Sequence, residues 1–286
     1  MNNMALLQIQ IYTKKFMRTL KKESIISIFI GIIITLLVMG VTQKNMFENY
    51  EGTKSGLFSI ICVCIWIGIF NSIQLVCREK NDIVKDELDK SLHASSYMAA
   101  HFIYQFILCA IQSIIVFAIF YMFMDGKGDI GSPIYYFITI FFIVFASDAM
   151  AFVISSAVPN PVVAMTIMPL LLLIQLVMAG VLFELGDIAS IAANFTVSKW
   201  GMEAFGKIGD ISNIPSKMDG QFSEMEKLYN MKIEPENGWV PEADVDKFSG
   251  GITEIIACWS VFLLFIIAFY FISVFALKMT TRKIKK

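Results

Sequence analysis

Six long stretches of apolar residues constrain the fold of this chain more than any other feature. A helix needs about 20 predominantly apolar residues to cross roughly 30 Å of hydrocarbon. The stretches that approach or exceed this length with few or no charges are 24–41, 56–77, 95–124, 133–158, 162–183 and 252–277. The sequence therefore predicts an all-α polytopic membrane protein with six transmembrane helices.

The composition indicates that the solvent is a bilayer. Hydrophobic residues make up 57% of the 286 residues and charged residues only 16%, whereas an average soluble domain has about 45–50% and 25%. The formal net charge of −1 also argues against binding to nucleic acid, because such proteins displace counterions with a basic surface. A soluble enzyme and a nucleic-acid partner are therefore poor interpretations.

The distribution of lysine and arginine predicts the orientation of the six helices. If the N-terminus is cytoplasmic, that side holds five of these residues before the first span, four in the loop 78–90 and five after the last span. The opposite short loops hold three. Because short cytoplasmic loops carry the excess of positive charge, fourteen against three predicts that both termini are cytoplasmic.

Residues 1–23 form a predicted amphipathic helix before the first span. At 100° per residue its apolar face carries Ile9, Tyr12, Phe16 and Leu20. Its opposite face carries Lys14, Lys15, Arg18, Lys21 and Lys22. Such a helix lies at the membrane surface and binds anionic lipid. Packing on a cytoplasmic partner is the alternative.

The loop between the second and third spans is dense in charges of both signs. Oppositely charged residues stand three or four positions apart at 82/85, 85/89 and 86/90, and this spacing stabilises a helix. Charged helices often do no more than face water. Ile83 and Leu88 would then be exposed, so we favour a docking surface for a partner.

Three stretches of sequence resemble a known family of membrane proteins. They are 77–80 with 92–102, then 175–183, then 197–205. They are similar to an Arg-Glu element followed by a Ser-x-Tyr segment, to the end of a fifth span, and to the segment after re-entrant helices. Together with the amphipathic helix, the charged loop and the long segment before the last span, they resemble the type-2 permeases of ATP-binding cassette exporters, above all the G-like half-transporters and their bacterial relatives.

This resemblance implies a plasma-membrane exporter, in a bacterial cell, with two six-span subunits in contact with lipid. The second subunit is another copy or a homologous permease. Separate ATP-binding cassette subunits would bind ATP and Mg, because this sequence has no Gly-x-x-x-x-Gly-Lys-Ser/Thr loop. The chain would then hold no cofactor and would not itself be an enzyme. The implied coupling helix is 78–92, with the candidate residues Arg78, Glu79, Lys80, Asp82, Lys85 and Asp86.

Residues of the second and fifth spans are candidates for the translocation path, since these spans line the path in the family. The candidates are Asn71, Gln74, Gln175 and Met178, with Leu173 in an apolar gate. Hydrogen bonding between helices is an equally good interpretation of the amides. A lipid-facing or packed side chain is the alternative for the leucine.

Asp148 lies within the fourth span, where ionisable residues are costly and often functional. It keeps a secondary carrier and a membrane-embedded enzyme as alternatives. A carrier would show inverted repeats and an enzyme several convergent titratable groups, and the sequence shows neither pattern. A hydrogen bond between helices is the simpler role for Asp148. His93 and His101 lack other ligands, so we predict no metal site.

The one long loop, 184–251, holds six lysines and twelve acidic residues. We expect a re-entrant segment up to Phe205 and a small external cap after it. The predicted organisation is thus 1–23, 24–183, 184–251, 252–278 and a basic cytoplasmic tail at 279–286.

Overall fold

The computed structural model describes residues 3–18, 22–42, 46–47, 49–88, 94–124, 132–182, 185–214 and 247–284. Within these ranges the chain forms helices and no strand, and six helices are long and apolar enough to cross a membrane. The prediction of an all-α polytopic membrane protein with six spans is confirmed. In chain order the helices are α1 (Asn3–Arg18), α2 (Lys22–Thr42), α3 (Tyr50–Ser72), α4 (Leu75–Leu88), α5 (Ala94–Met124), α6 (Pro133–Ala157), α7 (Pro161–Met178), α8 (Asp187–Ala193), α9 (Val197–Ile208) and α10 (Ile252–Ile284).

Local capping sets the helix ends and shifts three predicted boundaries. Asn49 caps α3, because its side chain accepts a hydrogen bond from a first-turn amide at 2.8 Å. The second span therefore starts at Tyr50 rather than at 56. α7 ends at Met178 rather than at 183, and Gly180 just beyond it has a φ of +66°, which suits the end of a helix. α10 continues past the predicted end to Ile284.

α3 and α6 form the centre of the bundle, and most residues of both helices are buried. The two helices approach closely at Gly68. An added Cβ there would lie 2.3 Å from the carbonyl oxygen of Val144. Only a residue without a side chain permits this approach, and small residues at helix contacts are typical of membrane proteins.

The other spans pack around this central pair and leave apolar faces exposed. Leu37 of α2, Leu173 of α7 and Phe271 of α10 are examples of large exposed side chains. Apolar faces of membrane helices contact lipid or another subunit, since lipid tails are as apolar as these side chains.

α1 packs on the start of α5 with its apolar face. Phe16 is buried and stacks on His101, with ring centroids 3.9 Å apart, and Tyr12 meets Tyr97 edge-on. Lys14 is exposed on the other side of the helix. The apolar face predicted for this segment therefore contacts the chain's own bundle, and α1 lies at the end where α2 and α5 begin.

Two short helices follow α7 at the other end of the bundle. α9 packs against α3, α6, α7 and α10, and its Phe205 is fully buried. α8 exposes Ile188 and Ile191, and Phe195 between the two helices is also exposed. The re-entrant segment stays a prediction, and most of the predicted cap, 215–246, lies outside the described residues.

Candidate functional site

α4, the predicted coupling helix, follows α3 almost without a break and presents one charged edge. It begins at Leu75 rather than at 78 and is described to Leu88. The side chains of Asp82 and Lys85 are 80% and 76% exposed and lie 3.9 Å apart, and Arg78 is exposed on the same edge. An exposed pair of this kind contributes little to stability. This edge is placed where a partner can contact it.

Glu79 lies on another face of α4 and contacts α5. Its Oε2 accepts a hydrogen bond from the Tyr97 hydroxyl at 2.6 Å, and Nε2 of His101 lies 3.6 Å from the same oxygen. Tyr97 and His101 are also the side chains on which α1 packs. Glu79 therefore joins α4 to α5, through the same two side chains that contact α1.

Lys80 points into the bundle although it belongs to a charged run. It is 2% exposed, and its Nζ donates to the carbonyl oxygens of Ser156 at 2.9 Å and Val158 at 2.6 Å. These carbonyls stand at the C-terminus of α6, where the last carbonyls of a helix lack partners within it and carry partial negative charge. The amine of Lys80 therefore caps α6.

Ile83 is buried, whereas the sequence suggested that it would be exposed. It is 3% exposed and shares a continuous apolar core with Val76 of the same helix. Its expected exposure, which favoured a docking surface, was wrong, because helical spacing alone does not show which face of α4 meets the bundle. The side chains of Asp86 and Leu88 lie outside the described residues.

Asn71 belongs to a ring of three hydrogen-bonded side chains, one from each of three spans. Ser27 of α2 donates to its Oδ1 at 2.7 Å, and its Nδ2 donates to Oε1 of Gln112 in α5 at 2.7 Å. Gln112 in turn donates to Ser27 at 3.3 Å. This geometry is that of a hydrogen-bonded helix contact, so Asn71 holds α2, α3 and α5 together.

A cavity of about 350 Å³ lies where α1 to α5 meet. Its wall includes Ser24, Asn71, Gln74, Arg78, Tyr104 and Gln105. Gln74 accepts a hydrogen bond from the guanidinium of Arg78, so a predicted path residue and a predicted coupling residue are neighbours here. Convergent polar groups in a cavity of this size suit the polar part of a small molecule.

Gln175 is buried and joins α7 to two neighbouring helices. Its Oε1 accepts a hydrogen bond from the backbone amide of Ser198 at 3.1 Å, and its Nε2 lies 3.5 Å from Sδ of Met150. Leu173 is 56% exposed and Met178 is half-buried. Of the predicted path residues on α7, Leu173 faces outward, while Gln175 holds the helix against α9 and α6.

Asp148 is fully buried where α3, α5 and α6 meet. Its Oδ1 accepts hydrogen bonds from the Ser72 hydroxyl and, at 3.3 Å, from Nε2 of Gln105. Gln105 also donates to Ser72 at 2.7 Å. The donors to Asp148 are a hydroxyl and an amide, which favours a hydrogen bond between helices over acid catalysis.

Four polar residues of these contacts were not predicted from the sequence, namely Ser27, Ser72, Gln105 and Gln112. Gln105 and Gln112 are seven positions apart in α5 and therefore share one face of the helix. That spacing was a usable signal. Ser27 and Ser72 offered none, because serine is common at contacts between membrane helices.

The profile of the ABC-2 type transporter family matches residues 7–208. That range runs from α1 to the end of α9 and includes every contact described above except those of α10. Part of the chain is also similar to a protein described as "ABC transporter G family member STR2" from Medicago truncatula, with 25% identity over 139 residues. The alignment covers 46% of this chain and 19% of that protein, so it spans less than a fifth of the relative's length.

Proposed function

This chain belongs to the ABC-2 type transporter family, and from that membership we propose that it is the permease subunit of an ATP-driven exporter. The family match includes five of the six apolar spans. Similarity to a G family transporter supports the same assignment. In this proposal the chain supplies the path through the membrane. A separate ATP-binding cassette subunit binds ATP and Mg and hydrolyses the nucleotide.

The charged edge of α4 is the observation that carries the docking part of this proposal. Arg78, Asp82 and Lys85 are exposed, whereas Lys80 and Ile83 on the other face are buried in the bundle. A helix that is held along one face moves as a body together with the helices it contacts. The ATPase subunit docks on the exposed edge and displaces α4 when it binds ATP.

Two copies of the chain, or this chain and a homologous permease, enclose the path. The apolar face of α7, with exposed Leu170 and Leu173, meets the second subunit and provides an apolar gate of the kind that closes by excluding water. Gln74 and the cavity beside it supply polar groups at the end of the bundle that holds α4. Both termini and α4 lie on the cytoplasmic side, in line with the excess of positive charge.

Purification of the chain from its native membrane in mild detergent tests the subunit composition. We expect an ATP-binding cassette subunit to co-elute in equal amount, and the complex to hydrolyse ATP. Recovery of the chain alone from several detergents, with no hydrolysis, would contradict the proposal. It would reopen the secondary carrier and a membrane-embedded enzyme that uses Asp148.

Charge reversal on α4 tests the docking surface itself. Asp82→Lys should lower the amount of co-eluting ATPase about tenfold or more, because a like-charge contact at an interface is strongly unfavourable. Asp187→Lys is the matched control, since Asp187 is exposed in α8, beyond the other end of α7. Equal loss of ATPase in both variants, or no loss in either, would remove α4 as the docking site.

A further inference from the structure

α4 and α6 cap each other's ends. The first backbone amides and the last carbonyls of a helix have no partner within that helix. Two first-turn amides of α4 donate to Oγ of Ser155 in α6, at 3.0 and 3.2 Å. In return, Lys80 of α4 donates to the carbonyls of Ser156 and Val158 at the end of α6. Side chains of each helix therefore satisfy the backbone of the other.

The amine of Lys80 is costly at this position. A buried primary amine is unfavourable unless hydrogen bonds and opposite charge compensate it. Two backbone carbonyls and the negative end of the α6 dipole provide that compensation. Methionine would fill the same space without the cost, so the hydrogen bonds of Lys80, rather than its volume, distinguish this position.

The carbonyls that Lys80 binds stand directly before α7. Val158 is followed by Pro159 and Asn160, and α7 begins at Pro161. Proline fixes φ, and Asn160 caps α7 by accepting a hydrogen bond from a first-turn amide at 3.0 Å. The turn is therefore short and stiff, and a displacement of Val158 reaches the first turn of α7.

α7 is separated from α4 by an open groove. A groove lined by Gln74, Arg78, Pro161, Val162, Met165 and Thr166 runs between the two helices. Within one subunit α7 is also the least buried of the six described spans, with 17% of its most apolar stretch buried. The hydrogen bonds of Lys80 thus connect α4 with the turn before α7, a helix that its own subunit holds lightly.

We propose that Lys80 is a positioning residue that makes α4 and the turn between α6 and α7 move as one body. This proposal rests on the proposed function, because it requires a partner that displaces α4. When the ATPase subunit moves α4, the amine of Lys80 carries the displacement to Val158 and from there to α7, the helix that lines the path.

Hydrogen exchange of the purified permease–ATPase complex, read by mass spectrometry, tests this role without a known cargo. Exchange is compared without nucleotide and with ATP, Mg and orthovanadate. In the wild-type complex we expect nucleotide to change exchange both in α4 and at 158–166. Lys80→Met should keep the change in α4 and reduce the change at 158–166 about twofold or more. Lys80→Arg retains the donors and should retain both changes.

Two control variants separate this role from a general effect on the turn. Lys278→Met removes an exposed amine from α10 at the same end of the bundle, outside the charged edge of α4. Thr280→Val removes a different hydrogen bond to the Ser156 carbonyl, one that comes from α10. Both variants should show the wild-type changes. If Lys80→Met yields no folded complex, Lys80→Gln replaces it, because the glutamine amide nitrogen ends one bond short of the position of the lysine amine, which binds both carbonyls.

Each outcome decides one of the two proposals. An unreduced change at 158–166 in the Met or Gln variant overturns the role of Lys80 and leaves the proposed function standing. An equal reduction in the Thr280 variant also overturns it, since the effect would then not depend on α4. If nucleotide causes no change in α4 of the wild-type complex, the docking part of the proposed function, in which the ATPase displaces α4, is overturned.

Discussion

The seam between α3 and α6 and the outer helix α7 are held in opposite ways. In its most apolar 18-residue stretch, α6 has 67% of its residues buried, whereas α7 has 17%. The seam combines the close approach at Gly68 with the polar cluster around Asp148. α7 is held by Gln175 near one end and, at the other, by the turn that Lys80 binds.

This difference divides the subunit into a firmly held frame, which is the seam between α3 and α6, and a lightly held outer helix, α7. Between membrane helices there is little hydrophobic driving force, so close packing and hydrogen bonds decide which helices stay together. The seam has both and forms the frame. Within the described part of this subunit, α7 has few such contacts. Substitutions should therefore affect stability most at the seam and least on exposed edges.

Gly68→Leu has the largest expected effect, because it forces the seam apart. Its side chain would meet the backbone of Val144 and should lower the free energy of unfolding by about 3 kcal/mol or more. Gly40→Leu in α2 is the matched control, since among the described residues no atom of another helix lies within 4 Å of the added Cβ, and it should change stability by less than about 0.5 kcal/mol. Unfolding in detergent measures both, and similar stabilities would contradict a tight seam.

Asp148→Ala should have the next largest effect. It removes the shared acceptor of Ser72 and Gln105 and should lower the free energy of unfolding by about 1–2 kcal/mol. Asp148→Asn keeps an acceptor oxygen and should recover most of that loss, with ATP hydrolysis by the complex unchanged. Hydrolysis that disappears in the Asn variant while the fold is intact would instead indicate a protonation role for Asp148.

The six spans, including the two of the frame, could be predicted from the sequence. Hydropathy identifies spans because backbone groups in lipid must be satisfied within the helix. The end of the fourth span at 158 was equally readable, because Pro159 and Pro161 follow it in the sequence and proline lacks a donor. The approach at Gly68 was not, since nothing in the sequence shows which other helix passes that glycine.

The contact between Lys80 of α4 and the turn that precedes α7 could not be predicted from the sequence. Lys80 stands in a charged run, and charges in such runs usually face water. Its burial depends on the carbonyls of Ser156 and Val158, which are 76 and 78 residues away in sequence. The amides Asn71 and Gln175 suited both a path and a helix contact, and only their partners in space show the helix contacts.

Gln175→Leu should have a smaller effect, confined to the outer helix. Thr196, the residue before α9, makes no side-chain cap, and Gln175 binds the amide of Ser198 in its place. Loss of that bond should cost about 1 kcal/mol of unfolding free energy. Gln175→Glu retains the acceptor and should cost less. Leu173→Ala, on the exposed face, is the control for a side-chain change elsewhere on α7. A cost equal to that of Gln175→Leu would show that α7 is not held at Gln175.

Exchange of the charges at Asp82 and Lys85 should have the smallest effect on stability. The pair is exposed and lies at 3.9 Å, and such pairs contribute between about 0 and 1 kcal/mol. The double variant Asp82→Lys with Lys85→Asp keeps an opposite pair at the same spacing, so the free energy of unfolding should stay within about 0.5 kcal/mol of wild type. The ATPase subunit would meet reversed charges, so its binding should weaken, and the difference from wild type should shrink as salt is raised. A large loss of stability would show that this pair helps to hold the bundle together. Unchanged ATPase binding would show that the ATPase subunit does not contact these charges.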